Sequence, residues 1–414
     1  MFSLNNNNKY LSYDNNIIRY TQYECYIWNL YEFNKTVDTI FYIVNKDKET
    51  LYLNNTSKLS TKIFYWKKIN HNEYIYENII LKVSKYKLSL GICNWGSLYQ
   101  FSNKSLLEEG HNIISNEYKM FDTLKIYMGK RIHKIYGISY VKGMTLLDIA
   151  KLPEYINVLT SSMYKNIIIV CHSTHREKSN YWNEEFTSID KINEENEFND
   201  LAMFLRNIKN TTFILQNWES DNYRLVNNDV SIRMISWIKS RQSGIDRYRK
   251  NNIIIEDNVF HAIEINRIGV HKMITDIIPH IRIDLVSYSC YDSQENPVLF
   301  ENNIKYILSQ IKRERNYTFK QIPECLKRFR VPLYIGEFGL SHNNNYENHI
   351  INTLNNVFHT SSKYELPFIN FWNLYNNEPN RMYGLIDDKN TKTVSAKWFC
   401  VFNSYTEPFL RISY

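Results

Sequence analysis

One pattern constrains the fold of this chain more than any other. From about residue 87 onward, short apolar segments alternate with longer segments whose apolar residues recur with a helical period. Short apolar segments bounded by polar residues predict buried strands, and the helical period predicts helices that pack on them. The predicted strands cover 88–94, 123–128, 166–171, 212–217, 259–265, 283–289, 332–337 and 367–373. Strands that alternate with helices indicate a parallel sheet.

The helix-like segments complete the repeat. They cover 108–118, 146–164, 194–208, 230–250, 302–315, 323–329, 346–361 and 395–402. Eight strands alternating with helices predict a (β/α)₈ TIM barrel. An open doubly wound sheet is the alternative. No GxGxxG or GxxxxGK[ST] segment follows any predicted strand, so that alternative lacks its usual nucleotide-binding sequence.

The sequence before the barrel does not show the alternation of strands and helices. Residues 1–20 are rich in asparagine, and we expect them to be disordered. Residues 21–86 contain short β-prone segments separated by polar clusters, which predicts a small β-rich region. Residues 87–414 form the predicted barrel. The sequence therefore predicts an α/β protein with a small N-terminal β region.

Composition narrows the function classes. The net charge of +7 is spread along the 414 residues, and the one short basic cluster, Lys312–Arg315, has no nucleic-acid-binding signature beside it. Six scattered cysteines without a CxxC pair favour a reducing compartment. The N-terminus has no apolar signal-peptide core, and no apolar run is long enough to span a membrane. We therefore expect a cytoplasmic protein that binds no nucleic acid, metal or cofactor.

Polar side chains concentrate where the predicted strands end. The carboxyl ends of the strands carry the active site in a (β/α)₈ barrel. Polar and aromatic residues follow six strands there: Asn94 and Trp95; His172; Asn217, Trp218 and Glu219; Glu264 and Asn266; Ser289 and Tyr291; Trp372 and Asn373. The seventh strand ends at Glu337, between Gly336 and Gly339. The sequence predicts that these side chains line one cleft.

Side-chain alternation predicts which residues face the barrel axis. In VPLYIGEFG, the residues Val331, Leu333 and Ile335 are apolar at alternate positions, so Glu337 is expected on the face that they share. In the fifth strand, Glu264 is expected to face the axis together with Ala262 and Asn266. In the sixth strand, the expected lumen residues are Ser287, Ser289 and Tyr291.

Two carboxylates on opposite strands, with tryptophan and asparagine beside them, suit glycoside hydrolysis. One carboxyl protonates the leaving oxygen, and the other attacks the anomeric carbon or activates water. Aromatic rings can pack on the apolar faces of sugars, and amides can hydrogen-bond sugar hydroxyls. Glu219 and Glu337 end strands that lie across the barrel mouth from each other, so they are the expected catalytic pair.

The barrel segment resembles the clan of (β/α)₈ retaining glycoside hydrolases that includes cellulase-like and mannanase-like, family-5-like enzymes. The segment YIGEFG (334–339) resembles the strand-7 motif of that clan, and Trp372 in INFWNLYNN matches its strand-8 tryptophan. The resemblance implies that Glu337 is the nucleophile and Glu219 the acid/base. It also implies that Tyr291 hydrogen-bonds the nucleophile.

The chain departs from the clan at two places. Trp218 separates Asn217 from Glu219, whereas the clan has asparagine and glutamate adjacent. We therefore expect either a bulge that re-aims the pair or a different acid/base, for which Glu264 is the rival. Ser289 stands where many families of the clan have a histidine.

The resulting hypothesis is a retaining O-glycoside hydrolase. Its expected substrate-binding residues are Asn217, Trp95, His172, Glu264, Asn266, Tyr291 and Trp372. The expected partner is a carbohydrate or glycoside. The alternative is a catalytically inactive glycan-binding or structural barrel. A metal-dependent hydrolase would need clustered histidine and aspartate ligands, and the first strand, LGICNWG, has no HxH.

Overall fold

The computed structural model describes residues 88–176, 184–219, 221, 228–250, 257–268, 273–318, 329, 331–342, 347–378 and 380–405, together with short strands before residue 88 and at 409–411. The chain divides into two compact units. The first unit comprises Met1–Lys87 and Val401–Tyr414, and the second comprises Leu88–Cys400. The second unit carries every predicted site residue.

The second unit is a closed parallel barrel, which confirms the predicted fold class. Each of its eight strands is hydrogen-bonded to the next one along the chain, and the last strand closes on the first. The barrel strands are β7 (Ser89–Asn94), β8 (Phe121–Met128), β9 (Asn166–Cys171), β10 (Thr212–Gln216), β11 (Val259–Ile265), β12 (Leu285–Ser289), β13 (Leu333–Phe338) and β14 (Phe368–Phe371). Every predicted strand is present because each apolar segment buries both of its faces.

The helices between the strands differ more from the prediction. They are α1 (Leu106–Glu117), α2 (Ile132–Tyr136), α3 (Leu146–Ala150), α4 (Pro153–Leu159), α5 (Ser188–Leu205), α6 (Asn228–Lys250), α7 (Pro297–Thr318), α8 (Glu347–Lys363) and α9 (Val394–Tyr405). Between β11 and β12 lie a π-helical turn, Met273–Ile277, and a 3₁₀ turn, Ile278–His280.

Two of these differences have local causes. The single helix predicted over 146–164 is wrong: Pro153, which lacks an N–H donor, begins α4 and separates it from α3. The helix predicted from residue 194 begins at Ser188 instead. Thr187 and Asp190 form a capping box there, and each side chain accepts a hydrogen bond from the backbone N–H of the other. Because the first turns of α5 are mostly polar, the periodicity of apolar residues does not show where the helix begins.

Apolar side chains fill the lower part of the barrel. One cluster joins residues from six strands to Phe329, and its members are Ile168, Ile214, Phe260, Ala262, Leu285, Phe329, Tyr334 and Phe368. The hydroxyl of Tyr334 in β13 donates a hydrogen bond to the Gln216 side chain in β10. This contact places Tyr334 and Gln216 in the lumen, above which the polar site begins.

The first unit contains short antiparallel pairings. Its strands are β1 (Ser3–Asn5), β2 (Tyr10–Tyr13), β3 (Asn16–Arg19), β4 (Tyr52–Asn54), β5 (Ser60–Lys68), β6 (Tyr74–Lys82) and β15 (Phe409–Arg411). They pair as β1-β2-β3, β5-β6 and β4-β15. Three short strands thus lie within residues 1–20, where disorder was expected, and β15 pairs with β4. The rest of the expected β-rich region lies outside the described residues.

Three further findings bear on the sequence expectations. The four cysteines within the described ranges, Cys93, Cys171, Cys290 and Cys400, are free thiols. In the same ranges, none of the helices has the length and apolar content needed to cross a membrane. Nor do these ranges contain a group of three or more histidine, cysteine, aspartate and glutamate side chains arranged to hold a metal ion.

Candidate active site

A register shift turns Glu337 toward the barrel lumen. Along β12 and β13, Tyr288 pairs with Ile335 and the next residue, Ser289, pairs with Glu337, so Gly336 is an extra residue in β13. The side of Gly336 that would carry a Cβ faces Ser287 and Glu264 in the lumen. The expectation that Glu337 follows the face of Leu333 and Ile335 by simple alternation is therefore wrong. The extra residue re-aims Glu337, as β-bulges do beside active sites.

A buried lysine joins two of the site carboxylates. Lys125 in β8 is fully buried, and its Nζ lies 2.6 Å from Oε1 of Glu264 and 2.7 Å from Oε1 of Glu337. Its Nζ also lies 3.4 Å from the carbonyl oxygen of Gly336. Sequence reasoning missed this residue, although a charged side chain in the middle of the apolar strand TLKIYM was the available signal.

Glu264 lies beneath the cleft and uses both of its oxygens. Its Oε1 accepts hydrogen bonds from Lys125 and, at 2.9 Å, from the Ser287 hydroxyl. Its Oε2 accepts the backbone N–H of Glu219 at 3.2 Å. The residue faces the axis as predicted, and its side chain is 0% exposed. A direct contact between Glu264 and a substrate stays a prediction.

Glu219 lies in the loop after β10 and outside the strand ladder. The strand ends at Gln216, one residue before its predicted end, so strand alternation does not orient Asn217 or Glu219. The backbone bond to Glu264 holds Glu219 near the axis, and both Asn217 and Glu219 are buried. The Asn217 amide donates to the Trp218 carbonyl at 3.2 Å.

Asp221 connects this loop to the end of β11. Its Oδ2 accepts the backbone N–H groups of Asn266 at 2.6 Å and Arg267 at 2.9 Å. Asn266 is itself buried, one residue past the strand. The loops that carry Asn217, Glu219 and Asn266 are therefore joined by one carboxylate.

The loop after β12 supports Glu337 from the other side. The Tyr291 hydroxyl lies 3.4 Å from Oε2 of Glu337, the oxygen that does not face Lys125. The Gln294 side chain accepts the Gly339 N–H at 3.0 Å and donates to the Gly339 carbonyl at 2.7 Å. Ser289, opposite Glu337 in the ladder, has a buried hydroxyl.

Aromatic rings form a continuous wall on the remaining side of the mouth. The ring centroids of Trp372 and Trp95 lie 5.8 Å apart, those of Trp95 and Tyr127 5.1 Å, and those of Tyr127 and His172 5.0 Å. The Trp95 backbone N–H donates to Asn373 Oδ1 at 3.1 Å, which ties the ends of β7 and β14 together. The structure brings together three predicted residues and adds Tyr127, which sequence reasoning missed.

The electrostatic environments of the two proposed catalytic carboxyls differ. Burial raises the pKa of Glu219 well above its usual range, and the charges of Glu337 and Glu264 raise it further. Burial also raises the pKa of Glu337, but the ammonium of Lys125 opposes this rise. Because Lys125 contacts Glu337 directly, the negative charge is favoured on Glu337 and the proton on Glu219.

The lysine and the histidine of the site have defined charge states at neutral pH. Burial alone lowers the pKa of Lys125, but the charges of Glu264 and Glu337 outweigh burial and raise it above its usual value. Lys125 is therefore a cation and not a free amine. The pKa of His172 is lowered to about 3, first by burial and then by Arg241 and Arg131. His172 is therefore a neutral imidazole.

We expect Gly336→Ala to destabilise the barrel by about 1–3 kcal/mol, the usual cost of overpacking a core. A Cβ on Gly336 would lie 1.9 Å from Ser287 Oγ and 2.5 Å from Glu264 Oε1. Chemical denaturation measures the loss. Adding Ser287→Ala removes the closest atom and should recover part of the stability. Equal stability of wild type and Gly336→Ala would contradict the close packing.

Comparisons with known proteins identify the fold. Neither a protein-family profile nor a curated protein sequence matches the chain. Among solved structures, this chain matches a family 39 glycoside hydrolase from the gut symbiont Bacteroides cellulosilyticus, with a TM-score of 0.50 and 12% identity over 86% of this chain and 70% of that chain. This chain has a (β/α)₈ barrel fold similar to that of this glycoside hydrolase. The resemblance inferred from YIGEFG is thereby confirmed at the level of the fold.

Two further solved structures are similar to this chain at lower scores. A family 5 xyloglucanase from Paenibacillus pabuli has a TM-score of 0.49 and 12% identity, over 78% of this chain and 99% of that chain. A broad-specificity family 5 endoglucanase from Bacteroides salanitronis has a TM-score of 0.48 and 14% identity, over 82% of this chain and 100% of that chain.

Proposed function

We propose that this protein hydrolyses O-glycosidic bonds by a retaining double displacement, with Glu337 as the nucleophile and Glu219 as the acid/base. The observation that carries the proposal is the asymmetric placement of Lys125. The lysine contacts Glu337, which favours the ionised form that a nucleophile needs. Glu219 has the raised pKa that a general acid needs.

In the first step, an oxygen of Glu337 attacks the anomeric carbon of the bound sugar. A new ester bond forms as the bond from the anomeric carbon to the leaving oxygen breaks. The electron pair of the broken bond stays on the leaving oxygen, which takes the proton of Glu219. Glu337 thereby becomes neutral and Glu219 becomes an anion.

In the second step, Glu219 takes a proton from water as the water oxygen attacks the anomeric carbon. The ester bond to Glu337 breaks, and its electron pair returns to the carboxylate. The Glu337 charge is the second-largest cause, after burial, of the raised pKa of Glu219. That pKa therefore falls when Glu337 is esterified, which suits the change of Glu219 from acid to base.

The lining of the mouth suits a carbohydrate. The aromatic wall offers apolar surfaces to sugar rings, and Trp372 lies at one end of it while His172 lies at the other. Asn217 and Asn266 supply amides beside the carboxylates. We propose that these residues, with Trp95 and Tyr291, bind the sugar that is transferred.

A panel of nitrophenyl glycosides tests the reaction. We expect hydrolysis of at least one member, and we expect proton NMR to show that the first-formed sugar has the anomeric configuration of the substrate. An inverted product would contradict the double displacement. Carbohydrate binding without hydrolysis of any member would favour the alternative function, a catalytically inactive glycan-binding barrel.

The alternative rests on two features of the sequence, Ser289 in place of a histidine and the spacing of Asn217 and Glu219. Trp218 lies between Asn217 and Glu219, and the structure places all three residues beyond the end of β10. An acid/base held by a loop is positioned less rigidly than one held by a strand. The glycoside panel separates the two functions because a binding protein forms no product.

A further inference from the structure

A single buried cation serves two carboxylates in this site. Nζ of Lys125 lies almost equally far from Oε1 of Glu264, at 2.6 Å, and from Oε1 of Glu337, at 2.7 Å. The side chains of Lys125 and Glu264 are 0% exposed, and that of Glu337 is 3% exposed. Water therefore screens these charges weakly, and each one strongly affects the others.

The charges in the site change during the proposed reaction, on which this inference rests. In the free enzyme, Lys125 has two anionic partners, Glu264 and Glu337. In the glycosyl-enzyme ester, Glu337 is neutral, and Glu264 is then the anion in direct contact with the ammonium. Without Glu264, the ester would leave a buried cation with no anionic partner in contact, which is a costly arrangement.

We propose that Glu264 is a positioning residue for glycoside hydrolysis, which holds the Lys125 ammonium beside Glu337 and neutralises it while Glu337 is esterified. Glu264 is suited to this role because Ser287 and the Glu219 backbone N–H fix its carboxylate. It acts on the nucleophile through Lys125 and on the acid/base through the loop backbone. This role requires no contact between Glu264 and the sugar.

The space around Gly336 supports this role. A Cβ at that position would overlap the Glu264 carboxylate, so the bulge that re-aims Glu337 also makes room for Glu264. The same residue of β13 thus turns Glu337 toward Lys125 and leaves space for Glu264 beside it.

Other titratable groups face this cluster and belong in any account of its pH dependence. They are Cys93 from β7, Glu219 and Asp221 from the loop after β10, Tyr291 from the loop after β12, and Tyr334 from β13. The pKa of each tyrosine and of Cys93 is raised by burial, so these groups stay neutral near pH 7.

The pH profile of kcat/KM tests the proposal. The profile rises as Glu337 ionises and falls as Glu219 loses its proton. Glu264 raises the pKa of both groups, so Glu264→Gln should move both limbs to lower pH. Lys125 lowers both pKa values, so Lys125→Met should move both limbs to higher pH. We expect shifts of about one to three pH units, the usual effect of a nearby charge.

The same variants should separate kcat from KM. Glu264→Gln destabilises the ester more than the substrate complex, so for glycosides whose ester formation limits turnover we expect kcat to fall at least about tenfold, the equivalent of one pKa unit, with a smaller change in KM. A double variant, Lys125→Met with Glu264→Gln, removes opposite charges. Its limbs should lie at lower pH than those of Lys125→Met, which tests Glu264 even if Glu264→Gln alone does not fold.

Glu194→Gln is the matched control. Glu194 is also 0% exposed and pairs with a buried cation, because its Oε2 lies 2.9 Å from Nε of Arg241. Arg241 lies in α6 and outside the lumen cluster. Glu194→Gln should lower stability without moving either limb. Similar limb shifts in both glutamine variants would overturn the proposal, as would unchanged limbs in Glu264→Gln and in the double variant.

A titration independent of activity separates this proposal from the proposed function. In protein labelled with ¹³C at glutamate carboxyls, the Glu337 signal is identified by its loss in Glu337→Gln. Its midpoint should move to lower pH in Glu264→Gln and to higher pH in Lys125→Met. If no glycoside is hydrolysed but these midpoints move, the proposed reaction fails and the electrostatic link stands. If the midpoints do not move, the role of Glu264 is wrong.

Discussion

Replacing Glu337 by alanine is expected to abolish hydrolysis of an activated aryl glycoside, with a loss of kcat on the order of 10⁵-fold or more, the usual cost of removing a nucleophile that forms a covalent intermediate. The remaining site cannot form the ester. Lys125 keeps one anionic partner in Glu264, so the buried cation stays compensated and the barrel should fold.

Azide supplies the decisive control for this variant. The anion can enter the space left by the carboxylate and attack the anomeric carbon, which forms a glycosyl azide of inverted configuration. Recovery of turnover with azide, and that product by NMR, would assign the missing group as the nucleophile. Glu194→Ala, which removes a buried glutamate outside the lumen, should keep turnover. Retained hydrolysis in Glu337→Ala would disprove the assignment.

Glu219→Ala is expected to lower kcat/KM by about 10²–10⁴-fold for glycosides with poor leaving groups, the usual contribution of general acid catalysis. Strongly acidic leaving groups, such as dinitrophenolate, need no proton to depart. The rate of the first step should therefore fall much less for their glycosides. The comparison of the two substrate classes measures the protonation by Glu219 directly.

The pH dependence provides a second measurement for Glu219. Burial raises the pKa of Glu219, and the charge of Glu337 raises it further. In the proposed first step, Glu219 acts in its protonated form. The wild-type activity should therefore fall as pH rises through that pKa, and this alkaline limb should disappear in Glu219→Ala. If both substrate classes lose activity equally and the alkaline limb remains, another group is the acid. Glu264 is then the first candidate, and Glu264→Gln should abolish the alkaline limb and not merely shift it.

The positions of the barrel strands could be predicted closely from the sequence, whereas the helix boundaries could be predicted less closely. The barrel strands are short and buried on both faces, so their apolar segments stand out from the polar loops. The start of α5 was missed because its first turns are polar and depend on a capping box between Thr187 and Asp190. The break between α3 and α4 falls at Pro153, and the helical period of the apolar residues around it continues across the break.

The sequence by itself determined the (β/α)₈ fold and the concentration of acids and aromatic residues at one end of the strands, because both follow from local patterns of burial and polarity. Only the tertiary structure decided which groups meet. Lys125 is separated by 139 residues from Glu264 and by 212 from Glu337, and no local pattern reports contacts across a barrel. The direction of Glu337 also depended on one extra residue in β13, which side-chain alternation within a single strand could not reveal.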